Sequence, residues 1–218
     1  MAAELALLKS QVSPHFLFNT LNNVYSLAHL KSDDAPVAIL KLSLLLRYML
    51  YESDTPRVPL TREIEYLENY VDLQRLRLDE QLKVNFQVEG DCTGLLLEPM
   101  LLIPFVENAF KHGISYQHPA PIEMSLRVTN QQLFFRVRNR CFTAPGNAQT
   151  SAGGLGLPNI ARRLALLYPN RHTLQTGKEG DYFTIELVLQ LHPTAVAQRA
   201  AAPAHPLSPR PDVALSVG

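Results

Sequence analysis

The sequence predicts an α+β fold in which a helical hairpin precedes a module that mixes strands with helices. Helical apolar spacing dominates residues 1–60, whereas alternation of apolar and polar residues appears at 82–89 and again between 122 and 139. Helices followed by a mixed segment indicate two α-containing modules, and a chain of 218 residues can bury a full core. We therefore predict a hairpin domain at 1–60, a second domain at 61–191 and a disordered, Ala/Pro-rich tail at 192–218.

The two hairpin helices follow from their apolar spacing and from proline and aspartate positions. Residues 3–31 have a helical pattern, and Pro14 starts or kinks this helix because it removes a backbone donor. The second helix, at about 35–52, follows Asp33 and Asp34, whose carboxylates are expected to cap it.

The later elements follow from capping, alternation and turn signals. Thr61 is expected to cap a third helix that ends near Leu78, with Glu63 and Glu65 in its first turn and its polar residues in solvent. In chain order, the remaining predicted elements are a strand at 82–89, a helix at 98–112, a β-hairpin of strands 122–129 and 133–139, a long loop at 140–157, a helix at 158–168 and strands at 172–177 and 181–191.

The apolar surface of the hairpin predicts a homodimer. Ile39, Leu42, Leu46 and Met49 recur with the +3, +4, +3 spacing of a coiled coil. Two helices packed only on each other would leave one apolar stripe in water, and such exposure costs about 25 cal/mol per Å². A four-helix bundle of two hairpins would bury the stripe. The alternative is that the second domain folds back over the hairpin within one chain.

A histidine within a polar stripe is the first functional signal. Gln11, His15, Asn19 and Asn22 recur at helical spacing and therefore share one helix face. An exposed neutral imidazole, with a reference pKa of about 6.5, keeps a free lone pair at neutral pH and suits a nucleophile. An ordinary surface histidine has the same appearance.

The helix at 98–112 supplies the second signal. Asn108, Lys111 and His112 share one face, Glu107 sits beside them, and Gly113 is expected to stop the helix. A carboxamide oxygen can ligate Mg²⁺, and an ammonium can neutralise phosphate. A solvated face of an amphipathic helix has the same composition.

Glycines before a helix supply the third signal. Residues 153–159 read Gly-Gly-Leu-Gly-Leu-Pro-Asn and open directly into an apolar-periodic helix. Glycines at this position let backbone amides approach an anion, which the helix N-terminus favours.

These three motifs, in this order, resemble the LytS/YehU-type sensor histidine kinases over residues 3–191. The resemblance implies ATP and Mg²⁺ as cofactors, His15 as the phospho-acceptor and Asn108 as the Mg²⁺ ligand. It implies a second domain of the GHKL type, an α/β sandwich, with phosphate or lid contacts from Lys111, His112, Gly154, Gly156, Asn159 and Arg163. For Arg163 a surface salt bridge remains the alternative.

Three further roles are implied by the resemblance. Asn139 stands where GHKL proteins commonly carry an Asp that reads the adenine amino group, and an Asn oxygen also accepts from an amino group. Asn19, one turn after the acceptor, is a candidate to orient its ring or a water. Phe16 follows the acceptor where many histidine kinases have a carboxylate, so Glu107 is the candidate to orient the imidazole.

The expected activity is that of a two-component kinase core. It would autophosphorylate His15 and pass the phosphoryl group to an aspartate on the receiver domain of a response regulator. The alternatives are a GHKL-fold ATPase, whose output is hydrolysis, and a pseudokinase that works as a dimerisation module.

Composition limits the partners and the compartment. The formal net charge is zero and no basic patch stands out, so nucleic acid is a poor candidate partner. Cys92 and Cys141 exclude a disulfide scaffold and fit a reducing cytoplasm. No apolar run reaches the ~18 residues of a membrane helix. Family members are often anchored to the inner membrane, so we expect a fragment or an unusually short member, with any membrane segment absent from this chain.

Overall fold

The fold is described from a computed structural model over residues 14–52, 54–78, 81–141 and 156–194, with the backbone alone described for residues 14–16 and residue 156. These ranges contain five α-helices and eight β-strands, which confirms the α+β class. None of the described helices is both long and apolar enough to cross a bilayer. Residues 3–13 of the predicted first helix, most of the loop at 140–157 and nearly all of the predicted tail fall outside the described ranges, so the predicted kink at Pro14 stays a prediction.

The hairpin consists of α1 (Pro14–His29) and α2 (Asp34–Tyr51). The prediction that Asp33 caps α2 is wrong, because the Asp33 side chain makes no capping hydrogen bond. Instead the Ser32 hydroxyl accepts the backbone N–H of Asp34 at 3.2 Å. A hydroxyl at the start of a helix satisfies a backbone donor as well as a carboxylate does.

α2 packs against α3 (Leu60–Arg75). Part of the stripe predicted for a dimer is used in this contact, because Leu42 is 5% exposed and Leu46 and Met49 pack on the core. Ile39 alone of that stripe is exposed, at 53%. The alternative of coverage within one chain is therefore correct for this face of α2.

The start of α3 differs from the prediction. Pro59 occupies the position before the helix and Thr61 lies inside it, so Thr61 is not the cap. Leu60 is fully buried and already helical, so the helix begins two residues before the start that a Thr61 cap would give. The prediction that the polar residues of α3 face solvent is wrong for Glu63, which is fully buried.

The main sheet has five strands in the order β2-β4-β5-β7-β6. β2 pairs with β4 in parallel, and the other neighbours are antiparallel. The hairpin between β4 and β5 turns at Asn130 and Gln131, both with positive φ, a conformation that matches the twist of the strands. These strands are β2 (Val84–Glu89), β4 (Ile122–Thr129), β5 (Gln132–Arg140), β6 (His172–Glu179) and β7 (Tyr182–Gln190).

A second, three-stranded sheet was not predicted. It has the order β1-β3-β8, and each of its strands has two or three residues, too few for an alternating pattern to emerge. Its strands are β1 (Val58–Pro59), β3 (Leu95–Leu97) and β8 (His192–Pro193).

Helices α4 (Ile103–Gly113) and α5 (Gly156–Leu167) pack on one face of the main sheet. Buried and exposed residues alternate strictly along β4, so its inner side chains meet the helices and its outer ones meet solvent. One hydrophobic cluster runs from α2 through α3 and α4 to the sheet. The hairpin thus shares a core with the mixed module, while the domain boundaries at 60 and 191 remain predictions.

Candidate functional site

The exposed face of α4 carries the polar residues that the sequence singles out. Asn108 is half-buried and Lys111 and His112 are exposed, while Phe105 and Ala109 on the opposite side are fully buried. Partial burial and the charge of Lys111 lower the pKa of His112, which favours its neutral ring at pH 7. This face therefore offers an amide oxygen, an ammonium and a neutral ring nitrogen.

The C-terminal end of α4 packs directly on β5. A Cβ at Gly113 would lie 2.6 Å from the Cβ of Asn139 and 3.2 Å from its Nδ2, so glycine leaves the space that Asn139 occupies. The sequence predicts Gly113 as a stop signal, which commonly depends on positive φ. Positive φ occurs at Gly90, Gly94 and Gly180 but not at Gly113, so its role here is close packing.

Asn139 presents an unused acceptor beside this contact. The residue is 1% exposed, and its Nδ2 donates to the carbonyl oxygen of Arg140 at 3.1 Å. Its Oδ1 is buried and has no hydrogen-bond partner within the described part of the chain. An unsatisfied buried acceptor costs about 1–3 kcal/mol, so this oxygen is suited to an N–H group of a ligand.

Glu107 lies next to Asn108 in sequence and is half-buried. Burial raises the pKa of its carboxyl to about 7. Burial in α3 raises the pKa values of Tyr66 and Tyr70, and the nearby Glu107 carboxylate raises them further. A carboxyl with a pKa near 7 can gain or lose a proton near neutral pH.

The other predicted site residues belong to α1 and to the start of α5. The backbone of His15 lies in α1, and Asn19 follows one turn later as a half-buried residue. Gly154 is outside the described residues, Gly156 begins α5, and Asn159 is half-buried in the first turn. The structure thus joins the end of α4 to Asn139, while His15 belongs to a helix that packs on α2.

A buried carboxylate from α3 fixes the start of α4. Glu63 Oε2 accepts the Tyr48 hydroxyl at 2.5 Å and the N–H of Met100 at 2.9 Å, and Glu63 Oε1 accepts the N–H of Leu102 at 3.2 Å. Met100 has φ of 56°, an unusual value for a side chain of its size. Leu102, the residue before α4, provides no side-chain cap of its own. Glu63 therefore acts as a cap supplied from another helix.

Arg163 of α5 binds the backbone carbonyl oxygens of the same turn. Its guanidinium donates through Nη1 to the oxygen of Met100 at 2.8 Å and through Nη2 to that of Pro99 at 2.5 Å. Arg163 is 5% exposed, and the surface salt bridge considered for it is not formed. Burial lowers the pKa of Arg163, and the charge of Glu63 opposes this shift. We call Glu63, Arg163 and residues 99–102 the turn clamp.

The turn clamp explains why α4 starts later than predicted. It also depends on residues whose roles the sequence analysis missed. The helix begins at Ile103 rather than at 98, because the clamped turn occupies the intervening residues. From the sequence alone, Glu63 is predicted in solvent and Tyr48 has no assigned role. The available signal was the position of Glu63 between Leu60 and Leu67, at the spacing of the apolar face of α3.

The sequence is similar to those of known sensor histidine kinases. The family model described as histidine kinase matches residues 3–82. The sensor histidine kinase BtsS of Escherichia coli K12 is 30% identical over 185 residues, which are 84% of this chain and 32% of BtsS. The sensor protein LytS of Staphylococcus saprophyticus is 34% identical over 201 residues, which are 87% of this chain and 34% of LytS. The chain thus spans about a third of the length of these relatives.

The histidine kinase domain of the blue-light activated kinase EL346 from Erythrobacter litoralis aligns with a TM-score of 0.47 and 17% identity, over 87% of this chain and 94% of that domain.

Replacing Gly113 by alanine should destabilise the protein by about 1–3 kcal/mol, since the new Cβ must displace the buried Asn139. Gly177→Ala is the matched control, because a Cβ there meets no atom within 4 Å, and its effect should stay within about 0.5 kcal/mol. Urea unfolding of the two variants measures this difference. Equal stabilities would show that the contact between Gly113 and Asn139 does not constrain the site.

Proposed function

This chain belongs to the LytS-type sensor histidine kinases, and we propose that it is a kinase core that phosphorylates His15 from Mg-ATP. The observation that carries the nucleotide part is the unpartnered, buried Oδ1 of Asn139 beside the polar end of α4. That oxygen fits the exocyclic amino group of adenine, which is an N–H donor.

The proposed reaction transfers one phosphoryl group. A ring nitrogen of His15 attacks the γ-phosphorus, the bond between that phosphorus and the β,γ-bridging oxygen breaks, and ADP leaves with the bond electrons. The product is a phosphohistidine, which is labile to acid. Asn19 would orient the ring from the next turn of α1.

The polar face of α4 would hold the phosphate end of the nucleotide. Lys111 supplies a positive charge and His112 a neutral ring, both exposed at the end of α4 near Asn139. Asn108 supplies a carboxamide oxygen, a ligand type that Mg²⁺ accepts. When bound, the metal would neutralise phosphate charge. Gly154, Gly156 and Asn159 would contact the phosphates from the loop before α5, whereas the described hydrogen bonds of Arg163 favour a structural role in the turn clamp.

Glu107 is proposed to orient the acceptor imidazole. Its pKa of about 7 means that it is mainly ionised above neutral pH and mainly protonated below. An ionised carboxylate can accept the N–H of an imidazole and fix its tautomer. In the assay below, Glu107→Gln should therefore slow labelling and leave nucleotide affinity unchanged. An unchanged rate would exclude this role.

Paired variants test the kinase proposal. His15→Gln should abolish labelling by γ-labelled ATP and bind a non-hydrolysable ATP analogue as the wild type does, because it removes only the acceptor. Asn108→Ala should lose Mg²⁺-dependent affinity for the analogue, because it removes the metal ligand. Labelling of His15→Gln, or a label stable to acid, would contradict the acceptor. Unchanged Mg²⁺-dependent affinity of Asn108→Ala would contradict the ligand.

The same assay separates the alternatives. Release of inorganic phosphate without a labelled protein would identify a GHKL-type ATPase. Failure to bind nucleotide would identify a pseudokinase. The proposed onward partner is a response regulator, and loss of the label on adding a receiver domain, but not a receiver lacking its aspartate, would identify that step.

We also propose a homodimer through the hairpin. α1 and α2 expose apolar residues away from the shared core, and on α2 Val37, Leu40 and Tyr51 lie on one helix face. A second hairpin would bury this face in a four-helix bundle. The exposed apolar residues of the hairpin are Phe18, Leu21, Tyr25, Leu30, Val37, Ile39, Leu40, Leu50 and Tyr51.

Light scattering at micromolar concentration should give the mass of a dimer. Leu40→Asp should give a monomer that remains folded, since Leu40 is 61% exposed and lies outside the core. Ser43→Asp adds the same charge at an exposed polar position of α2 and should leave the dimer intact. A monomeric wild type, or a dimer that Leu40→Asp leaves unchanged, would contradict the proposal.

A further inference from the structure

Within the described ranges, a buried hydrogen bond joins the hairpin to α3. Tyr48 of α2 donates its hydroxyl to Glu63 of α3 at 2.5 Å, and both residues are at most 4% exposed. Other polar contacts between the hairpin and α3 in the described residues are partly exposed. Lys41 lies 2.7 Å from Asp72 and donates to Asn69 at 3.5 Å, and Arg62 pairs with Glu52, directly after α2, at 2.5 Å. A partly exposed ion pair contributes about 0–1 kcal/mol, whereas a hydrogen bond to a buried charge contributes about 1.5–3 kcal/mol. The hydrogen bond between Tyr48 and Glu63 therefore fixes the position of α2 against α3 more strongly than the partly exposed contacts do.

The hairpin register places this contact at the level of His15. A short turn joins α1 to α2, so the two helices run antiparallel. His15 and Tyr48 stand at nearly equal distances along the chain from that turn. The backbone of His15 and that of Tyr48 therefore lie at similar heights along the hairpin, near its open end.

The same carboxylate holds the turn from which α4 starts. Glu63 accepts the backbone N–H groups of Met100 and Leu102, and Arg163 of α5 holds the carbonyls of the same turn. α4 is a short helix, so the position of its first turn determines that of Asn108 further along it. One side chain thus contacts both the helix beside the acceptor and the start of the helix that carries Asn108.

We propose that Tyr48 and Glu63 are positioning residues for the phosphorylation of His15, because their hydrogen bond sets the hairpin against α4. This inference rests on the proposed kinase function. It assigns no contact with substrate to either residue. Loss of the Tyr48 hydroxyl should therefore slow phosphoryl transfer and leave nucleotide binding unchanged. The reason is that the residues proposed to bind the nucleotide are not part of the turn clamp.

Tyr48→Phe in the full 218-residue chain tests the proposal. The labelling rate at saturating ATP should fall about tenfold, because a misplacement of the order of an ångström has an effect of this size or larger. The affinity for a non-hydrolysable ATP analogue should stay within about twofold. Such a split between rate and affinity is not expected from a general loss of packing.

Tyr66→Phe is the matched control. The Tyr66 ring stacks on that of Tyr48 with 4.6 Å between centroids and is buried to the same extent, but its hydroxyl does not bond Glu63. Rate and affinity of this variant should both stay within about twofold of the wild type. The proposal is overturned if Tyr48→Phe keeps the wild-type rate, if its affinity falls in parallel with its rate, or if Tyr66→Phe is slowed equally.

Amide hydrogen exchange tests, independently of kinase activity, whether the Tyr48 hydroxyl anchors the hairpin. Exchange in α1 should accelerate in Tyr48→Phe and not in Tyr66→Phe, since the hairpin loses its buried anchor. If wild-type protein takes no label, the proposed function fails while this comparison still reports on the anchor. Equal exchange in the two variants would overturn the positioning role.

Discussion

The buried carboxylate of Glu63 is the interaction on which the arrangement of the helices depends. It receives hydrogen bonds from α2 and from the turn before α4, and the charge of Arg163 on α5 lies close enough to favour its ionised form. Burial raises the pKa of Glu63 above its ordinary value, and these contacts oppose that rise without cancelling it. A buried charge that lost one partner would be left uncompensated, which generally costs about 3–5 kcal/mol. The positions of these helices are therefore mutually dependent.

The two ends of α4 are fixed in different ways. At its start, the turn clamp replaces a local cap and holds Met100 at a positive φ. At its end, the small size of Gly113 allows Asn139 to pack against the helix and leaves Oδ1 without a partner. Between these ends lie Asn108 and the cationic residue Lys111. A helix held at both ends presents its polar face at a defined place above the sheet, which a nucleotide site requires.

The features that can be predicted from the sequence are those that local residue patterns determine. Alternation locates the main strands, and apolar spacing locates the helices. The polar face around Asn108 also follows from spacing alone. The α4 boundary could not be predicted, since residues 95–103 form a nearly continuous apolar run and the partner that ends it, Glu63, lies about forty residues away in sequence. Glu63 and Arg163 are buried although the sequence analysis predicts Glu63 in solvent and a phosphate contact or surface salt bridge for Arg163. Each lies on an apolar helix face, which is a signal of burial, but the turn that both residues bind is visible only in the folded chain.

Amide exchange at Met100 and Leu102 tests the central role of the turn clamp most directly. Both N–H groups donate to a fully buried carboxylate, so they should exchange as slowly as the amide of Val137 in the centre of the sheet. Exchange as fast as that of exposed Gln117 would show that Glu63 does not hold the turn in solution, and would contradict the account of how α4 is positioned.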